Sequence, residues 1–368
     1  MIVKIGGVVI SNFITNELTF SYDSVADVFS FTFPFFEYWE VSERNKIRDY
    51  FKPLAYKSVQ VYDDNRKLLL TGTILNHKFK DTANGSELSI SGYSRTGILD
   101  DCPNVPKSEN LSTEENEKRA ISTNFANLTF LEFVKTLVNP FGISVEVDSL
   151  VQSKMDEVFE QQTTDADDSV ASTLAKMATL KNVVMRTSPN GNLKFTQIDP
   201  ELKPVAKFST GDGVVTDISL DINGQAMHSE IHIAGTVDIS EDTGEDKAKT
   251  GNTTVVTNPL ITTISRPGMK KQGTETGAVD ATAKAALAEE LKNIQLTINC
   301  KGWKNVDDGT LQPGQLVSVK AAGCYLYNYQ TFLVRSIQLK ENNEGKSSTI
   351  NCVLPQTMTG DQPKLIFN

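Results

Sequence analysis

The chain has 368 residues and a mass of 40.5 kDa, with 39% hydrophobic and 22% charged side chains, the balance of a globular protein long enough for two or three units. Its 36 basic and 46 acidic residues leave a formal charge of −10 and a pI near 5.0, which argues against a surface built to grip nucleic acid. Cys102, Cys300, Cys324 and Cys352 lie far apart without a C-x-x-C pair, so they read as free, buried thiols rather than a zinc knuckle or disulfide framework.

The N-terminal MIVKIGGVVISNF is broken by Gly-Gly and lacks a continuous apolar core, so neither a signal peptide nor a membrane span is expected. Residues 1–33 alternate and are rich in β-branched and aromatic side chains, which predicts strands with a turn near Asp23 and Ser24. Residues 57–92 predict two hairpins, one turning at Asp63, Asp64 and Asn65, the other at Asn84 and Gly85. The first hundred residues therefore read as a small barrel or sandwich.

The stretch GYSRTGILDDC, residues 92–102, ends this region with Ser94 between two glycines. A nucleophile elbow needs G-x-S-x-G, but Gly92 and Gly97 enclose one residue too many, and only His228 and His232 follow as triad partners. A turn closing a strand is the better reading of Ser94.

Beyond Cys102, the polar run NVPKSENLSTEENEKRAISTN reads as a linker or covering loop. In LTFLEFVKTLVNPFGI, Thr129 and Glu132 form a capping box, and Phe130, Phe133, Val134 and Leu137 share one helical face. Pro140 and Gly142 should stop that helix before a strand around Val145 and Val147. A second helix is expected from Asp168, with Val170, Leu174 and Met177 inward, followed by a hairpin at Asn190-Gly191. Residues 106–200 thus read as a small α+β domain.

Alternation resumes from Val214, breaks into the acidic, Gly- and Thr-rich VDISEDTGEDKAKTGNTT as an exposed loop, and gives way to a helix over 278–294 with Leu287, Leu291 and Ile294 buried. The remaining QLTINCKGW, LVSVKAAG, TFLVRSIQL and STINCVLP are strands. LTGTILNHKFKDTANGSELSISG and FLVRSIQLKENNEGKSSTINCVL share a strand, charged turn and strand pattern, which suggests a β domain that occurs twice around the α+β unit.

Few residues invite chemistry. HSEIH, residues 228–232, lacks the H-E-x-x-H order, and on a strand its two histidines stand roughly 13 Å apart at about 3.3 Å per residue, too far to share one ion. His77 stands alone. The pairs Asp100-Asp101, Asp167-Asp168 and Asp307-Asp308 fall in turns or caps, where aspartate has a local role. Neither STGDGVV nor GMKKQGTETG forms a phosphate loop.

Taken in order, LLLTGTIL with SISGYSRTGILDDC, SVASTLAKMATLKNVVMRTSPNGNLKF, HSEIHIAG, AKAALAEEL, LTINCKGW and LQPGQLVSV resemble the baseplate hub or tail proteins of Mu-like contractile phages, related to late-control D proteins. GYSR departs from the Gly-Arg-Asp expected there, and the 236–277 loop is long and polar. The resemblance implies a mainly β fold with α+β content: a first tube-type β-barrel over 1–105, a small α+β domain over 106–204, and a second tube-type barrel over 205–355. That second barrel carries a polar insertion at about 236–277 and a helix at about 278–294, with a C-terminal tail over 356–368. It further implies a structural hub in the virion tail baseplate, assembled in the host cytoplasm. Three chains would form a ring between the tail tube protein and the central spike protein, beside other baseplate proteins, with DNA passing through unbound and no membrane insertion. No catalytic, cofactor-binding or metal residue is implied, and no cofactor. The alternatives are a tail-associated cell-wall or polysaccharide hydrolase and a carbohydrate-binding β module; for the latter, Trp39 and Trp303 are the only tryptophans.

Overall fold

The computed structural model describes residues 1–35, 40–42, 45–46, 50–83, 85–103, 124–164, 168–234, 253–271, 279–306, 309–363 and 367. The expected linker lies almost wholly outside these residues, as do most of the acidic tract, the Asp307-Asp308 pair, Asp167, Asn84 and Trp39.

The N-terminal region builds β1 (Ile2–Ile5), β2 (Val8–Ile10), β3 (Thr15–Ser21), β4 (Val28–Pro34), β5 (Ser58–Tyr62), β6 (Leu68–Thr82) and β7 (Gly85–Ser94). Period-two patterning decides which faces are inward: Leu18 and Phe20 from β3 and Phe29, Phe31 and Phe33 from β4 are all buried. The chain leaves β7 through a short turn into α1 (Ile98–Asp101).

The middle region contains β8 (Asn124–Thr129), α2 (Phe130–Val138), β9 (Val145–Val147), β10 (Val158–Thr163), α3 (Val170–Leu180), β11 (Val184–Thr187) and β12 (Leu193–Thr196). The α2 capping box is complete: Thr129 Oγ1 accepts from the Glu132 amide, and the Glu132 carboxylate accepts from the Thr129 amide. Gly142 leaves the helix end with φ 64°, which glycine adopts without a Cβ penalty. The second helix starts at Val170, two residues later than expected. Ser169 is its N-cap, accepting from the Ser172 amide, whereas Asp168 pairs with Lys176. A separate core forms here from Phe130, Phe133, Leu137, Leu174, Leu193 and Phe195 with their neighbours.

The C-terminal region supplies β13 (Ala206–Ser209), β14 (Val215–Ile222), β15 (Glu230–Ala234), β16 (Thr253–Thr257), β17 (Pro267–Lys271), α4 (Val279–Leu291), β18 (Ile294–Lys301), β19 (Leu316–Ala321), β20 (Leu326–Asn342) and β21 (Gly345–Val353). Two differences from the sequence expectation stand out. The helix ends at Leu291, and Ile294 opens β18: Leu287, Leu291 and Ile294 keep helical spacing, but the buried alternation that starts at Ile294 is that of the strand. The region expected as an insertion contains β16 and β17, which pair on either side of β15 in a small mixed sheet. Ala283 and Ala286 of α4 pack on Ile231 and Ile233 of that sheet.

The architecture is mainly β with an α+β unit, as the resemblance implied, and the β regions at the two ends of the chain share one thirteen-stranded sheet. The join is β3 against the outer half of β20, from Ser21 opposite Ser336 to Thr15 opposite Asn342. One apolar cluster runs through both ends, from Val3 and Phe31 to Ile298 and Ile350.

The hairpin likeness read from the sequence extends to the hydrogen-bond register. In β6–β7 the closing pair is Thr82 with Gly85, and a bulge separates the pairs Asn76–Ser91 and Ile74–Gly92. In β20–β21 the closing pair is Asn342 with Gly345, and a bulge separates Ser336–Asn351 and Val334–Cys352. Each position has its counterpart at one constant sequence offset. The flanking strands follow: β5 lies on β6 as β19 lies on β20, and β4 lies on β7 as β18 lies on β21. On the outer flank β3 lies on β4 as β14 lies on β18. Five strands are therefore repeated in order and register.

Candidate functional sites

Ser94 sits at the end of β7 and is 1% exposed. Its Oγ accepts from the Asp27 amide at 3.1 Å, lies 3.4 Å from the Val25 carbonyl oxygen and 3.3 Å from Thr96 Oγ1; its own amide donates to the Asp27 carbonyl at 2.7 Å. The hydroxyl thus ties the turn between β3 and β4 to the exit from β7. No histidine is among its hydrogen-bond partners, and its burial leaves no approach for a substrate carbonyl.

The residues after Ser94 explain GYSRTGILDDC as a joint between units. Arg95 Nη2 donates to the Gly142 carbonyl at 2.6 Å, holding the end of α2, and Leu99 of α1 is fully buried in the α+β core. Asp101 accepts from the Tyr93 hydroxyl at 2.7 Å. The Cys102 carbonyl accepts the first amide of α3 at 3.0 Å. Gly92 is needed because a Cβ there would stand 2.0 Å from the Thr73 carbonyl oxygen across the ladder.

Asp27 is the buried titratable group of this joint, 4% exposed, and sequence reasoning missed it because SVADVF carries no signal of burial at that position. Burial pushes its carboxyl up to about 7, against the lowering effects of the hydrogen bond from the Ser21 amide at 3.0 Å and of the Arg186 charge. Arg186 also donates to the Pro313 carbonyl at 2.9 Å and stacks over Tyr22, whose ring closes on Gly314. A small cluster of Tyr22, Ile198, Leu316, Leu333 and Val353 fills the same three-way junction.

The histidines of HSEIH are held by glutamates. Glu290 of α4, 6% exposed, accepts from the His228 amide at 2.8 Å and lies 2.7 Å from His228 Nδ1; His232 Nε2 lies 3.1 Å from Glu230. The His228 pair fastens α4 to the segment entering β15. Among the described residues no group of three or more His, Cys, Asp or Glu is placed to hold a metal ion, and no helix is long and apolar enough to cross a membrane. The four cysteines are free, and burial pushes the Cys352 thiol up.

Residues 118–197, nearly the whole α+β unit, match the family model of the baseplate hub protein gp44-like second domain. The fold as a whole matches the 43 kDa tail protein of prophage MuSo2 from Shewanella oneidensis, at 18% identity and TM-score 0.77, over 97% of this chain and 98% of that one. This is a baseplate-hub-like tail-protein fold. The tail protein from Neisseria meningitidis MC58 gives 20% identity and TM-score 0.74 over 98% of both chains. An E. coli type VI secretion component, described as similar to the T4 tail proteins gp27 and gp5, gives 10% identity and TM-score 0.56 over 99% of this chain and 80% of that one. No curated protein sequence matches the chain. The resemblance to phage tail proteins read from the sequence is therefore borne out. Within the tail-protein fold, Ser94, Asp27 and His228 hold units together.

Proposed function

We propose that the chain is the structural baseplate hub of a phage-type contractile tail, and that three copies form a ring joining the tail tube to the central spike around the DNA conduit. The observation that carries this reading is the five-strand repeat with matched register: a chain that presents the same β unit twice lets three subunits offer six similar wall segments, the arrangement needed between a six-fold tube and a three-fold spike. The two tube-type units correspond to residues 1–105 and 205–355, and the α+β unit between them, carrying the hub second-domain match, supports the outside of the ring. We further propose that the protein is not an enzyme, since its one elbow-like serine is a buried structural group. The net charge of −10 per chain suits a conduit that DNA crosses without sticking, because added cationic contacts strengthen phosphate binding.

Light scattering on a size-exclusion column tests the assembly: a mass three times 40.5 kDa is expected. Fluorescence anisotropy with double-stranded DNA at physiological salt should show no binding by that species. Micromolar affinity that falls steeply with salt would contradict the low-friction conduit.

A further inference from the structure

Folding carries Asp27 from the short turn between β3 and β4 to a place where all three units of the chain meet. Its carboxyl is buried and accepts from the Ser21 amide at 3.0 Å; among the described residues it forms no ion pair. The charge that acts on it belongs to Arg186 of β11, and that guanidinium is engaged elsewhere. Nη1 donates to the Pro313 carbonyl at 2.9 Å, Nε donates to the Thr187 carbonyl at 3.2 Å, and the group lies over the Tyr22 ring at 5.5 Å. Pro313 belongs to the loop that enters β19, so the Arg186 bond crosses from the α+β unit to the second β unit. Gly314 lets that loop close: a Cβ there would stand 2.5 Å from Tyr22 Cε2 and 3.4 Å from Arg186 Nη1.

The other charged and titratable groups around this joint have partners of their own. Asp23 pairs with Arg335 of β20 at 3.0 Å, and Asp148, just past β9, faces Lys194 of β12 at 3.9 Å. Arg95 holds the Gly142 carbonyl. Burial pushes the Tyr22 hydroxyl up to about 12, so it keeps its proton. A cavity of about 430 Å³, lined by Tyr22, Arg186, Thr196, Ile198, Pro313 and Gly314, leaves the arginine room to change rotamer.

We propose that Asp27 and Arg186 form a proton-operated clasp: while Asp27 is neutral, Arg186 holds the Pro313 loop, and when Asp27 loses its proton, its charge draws the guanidinium inward and releases that loop. A buried carboxylate is stable only with a cation beside it, and an arginine binds a carboxylate more strongly than a neutral carbonyl. The sign follows from burial, which raises the carboxyl to about 7: the loop is fastened below that pH and freed as pH rises through it. The clasp works within one chain, so it stands or falls independently of the ring.

Hydrogen–deuterium exchange of the full chain tests it, with rates corrected for the intrinsic effect of pH. The amides to follow are Gly314, which donates to the Val334 carbonyl, and Gln315, which lies near the Gln312 carbonyl. Both should exchange about tenfold faster at about pH 8 than at about pH 5.5, while β12 shows no step. Asp27→Asn, neutral throughout and still offering an oxygen to the Ser21 amide, should exchange slowly at both pH values. Arg186→Gln, which lacks the charge, should exchange fast at both. Thermal melts identify the folded variants, and if Asp27→Asn does not fold, Arg186→Gln decides. No step in the parent chain, or a step that persists in either folded variant, would overturn the clasp.

Discussion

The hairpins β6–β7 and β20–β21 have one ladder and two kinds of packing. Where the first has Gly72 and Gly92, the second has Phe332 and Cys352, both buried. In the first hairpin the backbones approach so closely that a Cβ at Gly72 would meet the Tyr93 carbonyl oxygen at 2.3 Å. In the second, side chains fill the space. The strand turns differ as well: β3 reaches β4 through six residues braced by Asp27 and Ser94, whereas the chain between β14 and β18 carries a further sheet and α4. A duplicated unit therefore keeps its hydrogen-bond register while its packing and connections diverge, because a register slip would turn every inward side chain outward, whereas a loop or a core volume can change locally.

The largest expected effect separates the two ladders at Gly92. Gly92→Ala should destabilise the protein by ~3 kcal/mol or more, since backbone stands 2.0 Å from the new Cβ; Cys352→Ala at the counterpart position should cost only ~1–2 kcal/mol. Chemical denaturation of both variants checks the contrast, and equal losses would break it.

The brace of the first turn should show in pH dependence. The folded carboxyl of Asp27 titrates near 7, above its ordinary 3.8, so its protonated form is favoured by folding. That contribution is fully present below about pH 4 and is lost as pH rises through 7, with a full span of at most about 4 kcal/mol. Asp27→Asn keeps an oxygen for the Ser21 amide and removes the titration. The variant should gain on the parent as pH climbs from 5 to 8 in thermal melts; a constant difference would contradict the burial account.

Ser94→Ala should cost ~1–2 kcal/mol by leaving the Asp27 amide without its partner. Smaller still is the bridge between the repeats, where Asp64 beside β5 takes ion pairs from the N-terminal ammonium and from Lys346 of β21. Asp64 is 62% exposed, so Asp64→Ala should change stability by less than ~1 kcal/mol, and that change should vanish in high salt.

Much of this was legible in the residues. Alternation located the strands, the Thr129–Glu132 box and Gly142 bounded α2, and the order of short motifs pointed to tail proteins. The likeness of two hairpins suggested duplication, yet its register was hidden, because Gly92 and Cys352 or Leu18 and Leu220 become equivalent only through cross-strand pairing. The end of α4 was misplaced because Leu287, Leu291 and Ile294 keep helical spacing while the backbone has already extended. Strands β16 and β17 were missed since Thr- and Lys-rich edge strands alternate weakly. Asp27 carried no pattern at all; its environment comes from Ser21, Ser94 and Arg186, which are distant from it or silent in sequence.

End-on electron microscopy of the assembled protein tests the central claim most directly. The account predicts closed rings with three-fold symmetry whose wall shows six similar β units, each chain contributing two adjacent ones. Single-chain particles, or open chains that never close, would contradict it.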